Sequence, residues 1–264
     1  MFDAEKVTNE IIDFIRKYFE KYNLKGVVLG ISGGKDSAVV AELFCKALGR
    51  DKVVGLTLPC HSIEQDKNDA RVVSEYFGFK LINLDLTNVY DTFTNEFDKS
   101  FNELGILSNE LIDSNINLKP RLRMASVYYV TQALTQLEKQ GYLVAGTSNL
   151  CELYVGYLTK GGDNVHDISV LGDLTVKEVL AIGDYIGVPK NILYKTPSDG
   201  LSNQTDEEKM GIKYDDVESV IYGEVVDEEI YQKIQRLHDR NAHKFAIPTY
   251  KKGANMIEYY QAKR

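Results

Sequence analysis

The residues of this chain best suited to chemistry lie in one six-residue segment, which reads Ser-Gly-Gly-Lys-Asp-Ser from Ser32 to Ser37. An apolar run at 26–31 precedes it and predicts a buried strand, and an apolar helical pattern follows it. Adjacent glycines permit backbone angles at which N–H groups converge on an anion, and a helix start adds further N–H groups. The serines add hydroxyl donors, and Asp36 offers a carboxylate to a phosphate-bound Mg²⁺. The segment is therefore predicted to bind phosphate.

The spacing of this segment separates it from the commonest phosphate loop. The Walker pattern requires four residues between its glycines and then Gly-Lys-Ser/Thr, which does not occur here. Residues 32–37 instead resemble the SGGxDS loop of the ATP pyrophosphatases. That resemblance implies a loop that holds pyrophosphate while a substrate oxygen attacks the α-phosphate of ATP and forms an adenylate. For the hexapeptide alone, a tight strand-to-helix turn that contains Gly-Gly by chance remains the alternative.

Composition and charge narrow the class of protein. The 264 residues, 44% hydrophobic and 27% charged, are typical of one large globular domain. The net charge of −8 argues against a non-specific nucleic-acid or acidic-membrane surface, but not against a small anion in a locally basic pocket. Three widely spaced cysteines without a CxxC pair argue against a zinc or disulfide framework. No apolar stretch approaches about 18 residues, so a cytoplasmic protein is expected.

Strands and helices alternate along the chain. After an amphipathic N-terminal helix, apolar runs predict strands at 26–31, 52–59, 80–86 and 141–147, and helical patterns lie at 37–48, 62–77 and 120–140. This alternation predicts a single α/β domain with a parallel twisted sheet and helices on both faces. Ligands of such sheets lie beyond the carboxyl ends of the strands, where the Gly-Gly loop and the turn at Gly146-Thr147 both fall.

Three polar segments interrupt this pattern. Residues 98–118 and 196–215 have little periodicity and are predicted to be long loops that become ordered when ligand binds. The acidic block at 227–229 is predicted to be a solvated helix face and not a metal site.

Further motifs narrow the resemblance from a superfamily to a family. Together they resemble the synthetase domain of NAD synthetase, in that family's order and approximate spacing, from about residue 24 to 248 of the single domain 1–264. The segments that carry the resemblance are 117–124, 146–152, 156–163 with Asp167 beyond it, 197–201, 204–207 and His243-Lys244.

The resemblance implies a reaction and a fold. Deamido-NAD, ATP and ammonia give NAD, AMP and pyrophosphate through a deamido-NAD adenylate, with Mg²⁺ as cofactor, in a Rossmann-like fold of the adenine nucleotide alpha hydrolase type. A carboxylate nucleophile is already ionised, so the chemistry needs charge neutralisation and placement instead of a Ser-His-Asp triad. The family also implies a homodimer with deamido-NAD at the two-fold interface. The apolar surface predicted for helix 120–140 is consistent with a dimer, although a buried central helix would look the same.

The resemblance also implies roles for individual residues. Asp36 and Glu152 match the carboxylates that bind Mg²⁺, and Asp163 is the candidate that takes a proton from ammonium. Matches to ATP-binding positions are Ser32, Gly33, Gly34, Lys35, Ser37, Arg123, Thr147 and Ser198. Matches to deamido-NAD positions are Arg121, Tyr128, Tyr157, Lys160 (also a candidate catalytic residue), Asp163, Asp167, His243 and Lys244.

Taken one at a time, several of these residues have ordinary structural explanations. Arg121 and Arg123 could be solvent-facing charges at a helix start, Glu152 a surface carboxylate, and His243 a partner of a backbone carbonyl. The tyrosines could belong to the core or to an interface. The set of motifs as a whole, and no single residue, favours the functional interpretation.

The sequence departs from the family pattern at one cation. Many relatives carry a phosphate-binding lysine where this chain has Val176, and the neighbouring Lys177 points about 100° away on a helix. Lys35, where relatives often have glutamine, is the candidate that replaces it.

The length of the segment before the first strand indicates the source of the nitrogen. About 25 residues precede the first strand, too few for the nitrilase-like glutaminase domain of larger NAD synthetases, so free ammonia is the expected nitrogen source unless a separate glutaminase docks.

Two alternative functions remain open. A sibling ATP pyrophosphatase, such as the GMP synthetase catalytic domain or a tRNA-thiolating enzyme, would share residues 32–37 but not the later motifs. A nucleotide-binding regulator of similar architecture is the non-enzymatic alternative.

Overall fold

A computed structural model describes residues 2–62, 64–106, 111–195, 205–246 and 250. Its parallel strands are β1 (Gly26–Gly30), β2 (Val53–Thr57), β3 (Lys80–Asn83), β4 (Tyr142–Gly146) and β5 (Ile168–Ser169). Its helices are α1 (Ala4–Lys21), α2 (Lys35–Leu48), α3 (Glu64–Phe77), α4 (Thr87–Glu103), α5 (Ile112–Glu138), α6 (Leu150–Val155), α7 (Val176–Ile186), α8 (Lys190–Leu193), α9 (Asp206–Met210), α10 (Tyr214–Ile221) and α11 (Glu228–Asn241). Short 3-10 turns lie at Arg50–Lys52 and Ala242–Lys244.

The sheet has the strand order β3-β2-β1-β4-β5, and every pairing is parallel. From β1 the chain moves outward to β2 and β3 on one side, and it returns to place β4 and β5 on the other. The order therefore reverses between β1 and β4, and the carboxyl ends of these two strands frame the crevice in which such folds bind ligands.

Helices cover both faces of the sheet, as the alternating pattern predicts. On one face α1, α2, α3 and α7 pack on β1 and β2, and the buried side of α1 contains Ile12, Ile15 and Phe19. On the other face α4 and α5 pack on β1, β2 and β4 around Val28, Leu56 and Val144. Both faces of β1 are buried, which explains its uninterrupted apolar sequence.

A smaller apolar cluster lies beside the sheet, among helices that follow β4. Cys151 and Val155 of α6 pack against Val217 of α10 and Ile234 of α11. This cluster fixes α6, which begins at the carboxyl end of β4 and carries Glu152.

The structure corrects several of the predicted element boundaries. Residues 98–103 and 112–118 are helical, because α4 and α5 extend into the segment predicted as a loop. Helix α5 begins eight residues before the predicted start at Pro120. Proline is usual at the first turn of a helix, but here it lies inside one. In the second predicted loop, 206–210 and 214–215 are helical, and residues 196–204 lie outside the described part of the chain.

The remaining boundaries differ by smaller amounts. Strand β3 ends at Asn83, three residues before the predicted end, and three of its four residues are exposed because it lies at the sheet edge. The acidic block at 227–229 is exposed at the start of α11, which confirms the predicted solvated helix face. Asp227 caps this helix by accepting hydrogen bonds from the N–H groups of Glu229 and Ile230. Within the described residues, no helix combines the length and the apolar character that a membrane crossing needs.

Candidate active site

The loop between β1 and α2 is organised by hydrogen bonds of its two serines. Ser37 Oγ donates to the carbonyl of Gly34 (3.1 Å) and accepts from the N–H of Ser32 (3.3 Å). Ser32 Oγ lies 3.2 Å from Ser37 Oγ and accepts from the N–H of Gly34 (3.2 Å). Gly33 has a φ of 79°, which favours glycine, whereas Gly34 is the extended N-cap of α2 and has no side chain to cap the helix. The loop thus turns at Gly33 alone and leaves the start of α2 open to an anion.

Asn149 joins two carboxylates behind this loop. Its buried side chain caps α6, where Oδ1 accepts from the N–H of Glu152 (3.2 Å) and Glu152 Oε2 accepts from the N–H of Asn149 (3.1 Å). Asn149 Nδ2 donates to Asp36 Oδ1 (3.1 Å). One side chain therefore fixes both predicted metal ligands, which come from the starts of α2 and α6.

A buried lysine lies against the same carboxylates. Lys35 Nζ is 2.7 Å from Asp36 Oδ2, and the Lys35 side chain is only 6% exposed. Burial by itself would lower the pKa of Lys35, but the attraction of Asp36 and then of Glu152 and Asp206 outweighs it, so this pKa is raised and the ammonium stays charged.

The electrostatics of Glu152 are of the opposite kind. Burial, and after it the negative charge of Asp36, raises the pKa of the Glu152 carboxyl to about 8, against the smaller opposing effect of Lys35. The buried Asp206 adds further negative charge and accepts a hydrogen bond from Tyr157 Oη (3.3 Å). The site thus concentrates carboxylates that need cations, which suits a place where a metal and a polyphosphate meet.

These groups line a cavity of about 860 Å³ at the carboxyl ends of β1 and β4, in the crevice where the strand order reverses. Its size and its place in the fold are those of a site for a nucleotide-sized ligand. Residues of the predicted set that line it are Ser32, Gly34, Lys35, Asp36, Ser37, Arg123, Thr147, Glu152, Tyr157, Asp163 and Lys244.

Other predicted residues lie outside this lining and contact one another. Arg121 Nε donates to the carbonyl of Lys160 (3.3 Å), and Lys160 Nζ donates to the carbonyl of His243 (2.7 Å). These three exposed residues form a chain at the surface. Gly33 is buried inside its turn, and Ser198 lies outside the described residues.

Tyr128 and Asp167 pair with each other and also lie outside the lining. Asp167 Oδ1 accepts from Tyr128 Oη (3.0 Å), and Oδ2 accepts from the N–H of Val144 (2.8 Å). Burial and this carboxylate raise the pKa of Tyr128 to about 12. The pair ties α5 to the edge of β4, and its role toward a ligand stays a prediction.

Two cavity residues make backbone contacts that hold the segment after α6. Lys244 Nζ donates to the carbonyls of Gly156 (2.7 Å) and Leu158 (2.8 Å). Asp163 Oδ2 accepts from the N–H of Thr159 (2.8 Å). Both side chains border the cavity while they stabilise the loop that forms its wall.

The lysine beside Val176 does not reach this cavity. Lys177 Nζ pairs with Asp215 (3.3 Å) and Glu218 (3.4 Å), and its side chain is 58% exposed. Among the described residues it does not line the cavity, whereas Lys35 does. The geometric argument that Lys177 cannot replace the family lysine is consistent with these positions.

The structure adds residues that sequence reasoning did not assign. Asn149 and Asp206 lie within motifs quoted for the family resemblance, and their capping pattern (Asn-x-x-Glu and Thr-Asp-x-Glu) could have marked them. His166 lines the cavity with its ring against Gly146, and its Nδ1 is buried without a hydrogen-bond partner among the described residues. Lys195, which also borders the cavity, pairs with Asp69 (2.7 Å). Only folding brings these last two residues to the site, so no local pattern could have identified them.

The donor set fits Mg²⁺ held partly by substrate. Within the described residues no cluster of three His, Cys, Asp or Glu side chains could hold a metal alone. Mg²⁺ is usually bound through one or two carboxylates together with phosphates and water. Asp36 and Glu152, joined by Asn149 next to the Ser32–Ser37 loop, would provide the carboxylates of that arrangement.

Comparisons with known proteins agree with this fold. The family profile for NAD synthase matches residues 7–248. An NH(3)-dependent NAD(+) synthetase of Methanocaldococcus jannaschii is 43% identical over 226 residues, which cover 82% of this chain and 80% of that protein. The structure of NMN synthetase from Francisella tularensis matches with a TM-score of 0.84 and 31% identity, over 95% of this chain and 99% of the other. NH3-dependent NAD synthetase from Campylobacter jejuni matches with a TM-score of 0.76 and 26% identity, over 95% and 100% of the two chains.

Proposed function

This chain belongs to the NAD synthase family, and we propose that it amidates deamido-NAD with free ammonia at the expense of ATP. The products are NAD, AMP and pyrophosphate, and the reaction is the last step of NAD biosynthesis. The observation that carries this proposal is the position of the Ser32–Ser37 loop, which contains Asp36, beside the carboxylate of Glu152 in one cavity at the reversal of strand order.

In the first step the nicotinate carboxylate attacks the α-phosphate of ATP. A bond forms between a carboxylate oxygen and the α-phosphorus, the bond to the β-phosphate oxygen breaks, and pyrophosphate leaves. The loop hydroxyls and the N–H groups at the start of α2 stabilise the negative charge on the phosphates. Arg123, held by the carbonyl of Leu58 (3.2 Å), and Lys35 add positive charge on the cavity wall.

Asp36 and Glu152 would hold Mg²⁺ in this site. When bound, the metal supplies charge neutralisation to the phosphates that carry the leaving group. The chain's own contribution is to fix both carboxylates through Asn149 before substrate arrives.

In the second step ammonia attacks the acyl carbon of the adenylate and AMP leaves with the former carboxylate oxygen. Only neutral ammonia is a nucleophile, so ammonium must first lose a proton. Asp163 borders the cavity on the loop after α6 and is the proposed acceptor. Its hydrogen bond from the Thr159 N–H (2.8 Å) positions the carboxylate at the cavity wall.

The experiment for this proposal is an incubation of the purified protein with ATP, Mg²⁺, ammonium and deamido-NAD, with NAD measured through an alcohol dehydrogenase. NAD formation should require all four components and should be lost in Asp36→Ala. Pyrophosphate release with a different carboxylate acceptor would preserve the adenylating chemistry but reject the proposed substrate.

A second candidate substrate is nicotinate mononucleotide, which would give nicotinamide mononucleotide. The similarity to an NMN synthetase over 95% of this chain favours testing it. Both substrates require the same loop and the same carboxylates, so the measurement is the ratio of their kcat/KM values in parallel assays. We expect the dinucleotide to be preferred, and a preference for the mononucleotide would select the second candidate.

We also propose that the enzyme is a homodimer. Helix α4 exposes Val89, Phe93 and Phe97, and α5 exposes Tyr129 (78%) and Leu137 (79%), so both present apolar surface on the same side of the sheet. Surface of this kind on neighbouring helices marks an association site. Light scattering after gel filtration should give twice the 29.8 kDa mass of the chain, and a monomer at micromolar concentration would contradict the dimer.

A further inference from the structure

The carboxylate cluster of the cavity already contains a cation. Asp36 has a partner at each oxygen, because Oδ1 accepts from Asn149 (3.1 Å) and Oδ2 accepts from Lys35 Nζ (2.7 Å). Lys35 is 6% exposed, and the charges of Glu152 and Asp206 also act on it. The ammonium is therefore not a surface charge beside the site but one of its components.

A divalent cation and this ammonium compete for the same oxygen. A metal on Asp36 Oδ2 would lie within a few ångströms of Lys35 Nζ, and two positive charges this close repel each other in a buried site. The cation that binds second must displace the first. Lys35 precedes Asp36 at the first turn of α2, so a rotation of its side chain can carry the ammonium toward phosphates held by the loop.

We propose that Lys35 is a resident counter-ion, which occupies the carboxylates in the ligand-free enzyme and moves to the nucleotide phosphates when the metal takes its place. Lys35 would then act twice, first as a positioning residue that keeps Asp36 and Glu152 together, and then as a contact of the substrate. Metal binding and nucleotide binding would be coupled, since phosphates give the displaced ammonium a new partner. The inference rests on the proposed nucleotide site but not on which pyridine nucleotide is amidated.

The test is the affinity of the free protein for Mn²⁺, a spectroscopic substitute for Mg²⁺, measured by electron paramagnetic resonance without nucleotide. Removing the ammonium in Lys35→Gln should tighten Mn²⁺ binding by about tenfold or more. Lys35→Arg keeps the charge and should bind Mn²⁺ as weakly as the unaltered protein. A separate titration with ATP should show weaker nucleotide binding to Lys35→Gln, a change opposite in sign to that of the metal.

A matched control is available on α7. Lys177 also pairs with two carboxylates, Asp215 and Glu218, but lies outside the cavity lining, so Lys177→Gln should leave both affinities unchanged. If Lys35→Gln does not fold, the double variant Lys35→Gln/Asp206→Asn keeps the net charge of the cluster. It should bind Mn²⁺ at least about tenfold more tightly than Asp206→Asn alone.

Unchanged or weaker Mn²⁺ binding in a folded Lys35→Gln protein, or in the double variant, would overturn the proposal. These measurements use neither deamido-NAD nor ammonia. A protein that fails to form NAD but shows the predicted change in Mn²⁺ affinity would therefore reject the proposed reaction and retain the exchange of cations.

Discussion

Asn149 provides a quantitative test of how the site is assembled. Its side chain has two separable functions, since Oδ1 caps α6 and Nδ2 donates to Asp36. Asn149→Ala removes both, whereas Asn149→Ser keeps a capping oxygen but loses the reach to Asp36. Thr175→Ala is the matched control, because Thr175 is equally buried and caps α7 through the same reciprocal pattern with Glu178.

The expected magnitudes follow from these contacts. Loss of a helix cap lowers the free energy of unfolding by about 1 kcal/mol. Loss of a hydrogen bond to a carboxylate lowers it by about 1.5–3 kcal/mol. Asn149→Ala should therefore destabilise the protein by about 2.5–4 kcal/mol, Asn149→Ser by about 1.5–3 and Thr175→Ala by about 1 kcal/mol. At about 2–4 °C per kcal/mol for a chain of this size, Asn149→Ala should lower the Tm by roughly 5–15 °C.

The assay is urea unfolding monitored by circular dichroism, and the Tm is measured in parallel. A double-mutant cycle with Asp36→Ala isolates the bond between the two side chains, and its coupling energy should lie between about 0.5 and 3 kcal/mol. Asn149 does not hold Asp36 in place if Asn149→Ala destabilises the protein no more than Thr175→Ala, or if the cycle shows no coupling.

Three further predictions concern neighbouring residues. Because the pKa of Glu152 is raised, the folded protein binds a proton more tightly than the unfolded chain, and the free energy of unfolding should fall as the pH rises from about 5 to about 8. Differential scanning fluorimetry should show a flatter pH dependence of the Tm for Glu152→Gln. A Cβ on Gly146 would lie 2.5 Å from the His166 ring, so Gly146→Ala should lower the Tm by an amount equivalent to about 1–3 kcal/mol. Adding His166→Ala to this variant should restore most of the lost Tm, and no recovery would contradict the contact. Lys244→Met removes two hydrogen bonds to backbone carbonyls and should lower the Tm even without ligand. An unchanged Tm together with a raised KM for deamido-NAD would instead mean that this lysine serves substrate binding alone.

The layered fold could be predicted because its signals are local. Buried parallel strands appear in the sequence as short apolar runs, and β1, β2 and β4 lie where those runs predict them. The loops predicted at 98–118 and 196–215 were wrong in part. Phe93, Phe97 and Phe101 recur every fourth residue along α4, a helical pattern that continues into the first segment, whereas the short helix α9 in the second segment contains mostly polar residues. Helix α9 is fixed by the capping box of Thr205 and Glu208, and α4, which has no side-chain cap, packs against α5.

In the candidate site, too, the residues that lie together in the sequence could be predicted, whereas the contacts that form only on folding could not. The loop from Ser32 to Ser37 is contiguous, so its residue types reveal its chemistry, and Glu152 follows from the family resemblance. The contact between Asn149 and Asp36 joins residues 113 positions apart, and the sequence contains no signal for it. The exchange of cations at Lys35 likewise depends on burial and on distances that only the folded chain has.

An isotope measurement tests whether this cavity forms an adenylate of the nicotinate carboxylate. Deamido-NAD labelled with ¹⁸O in that carboxylate is converted with ammonium, ATP and Mg²⁺, and the products are analysed by mass spectrometry. One ¹⁸O atom is expected in AMP, because the oxygen that attacks the α-phosphate stays with it when ammonia displaces AMP. Unlabelled AMP, or label in inorganic phosphate formed together with ADP, would contradict adenylate formation.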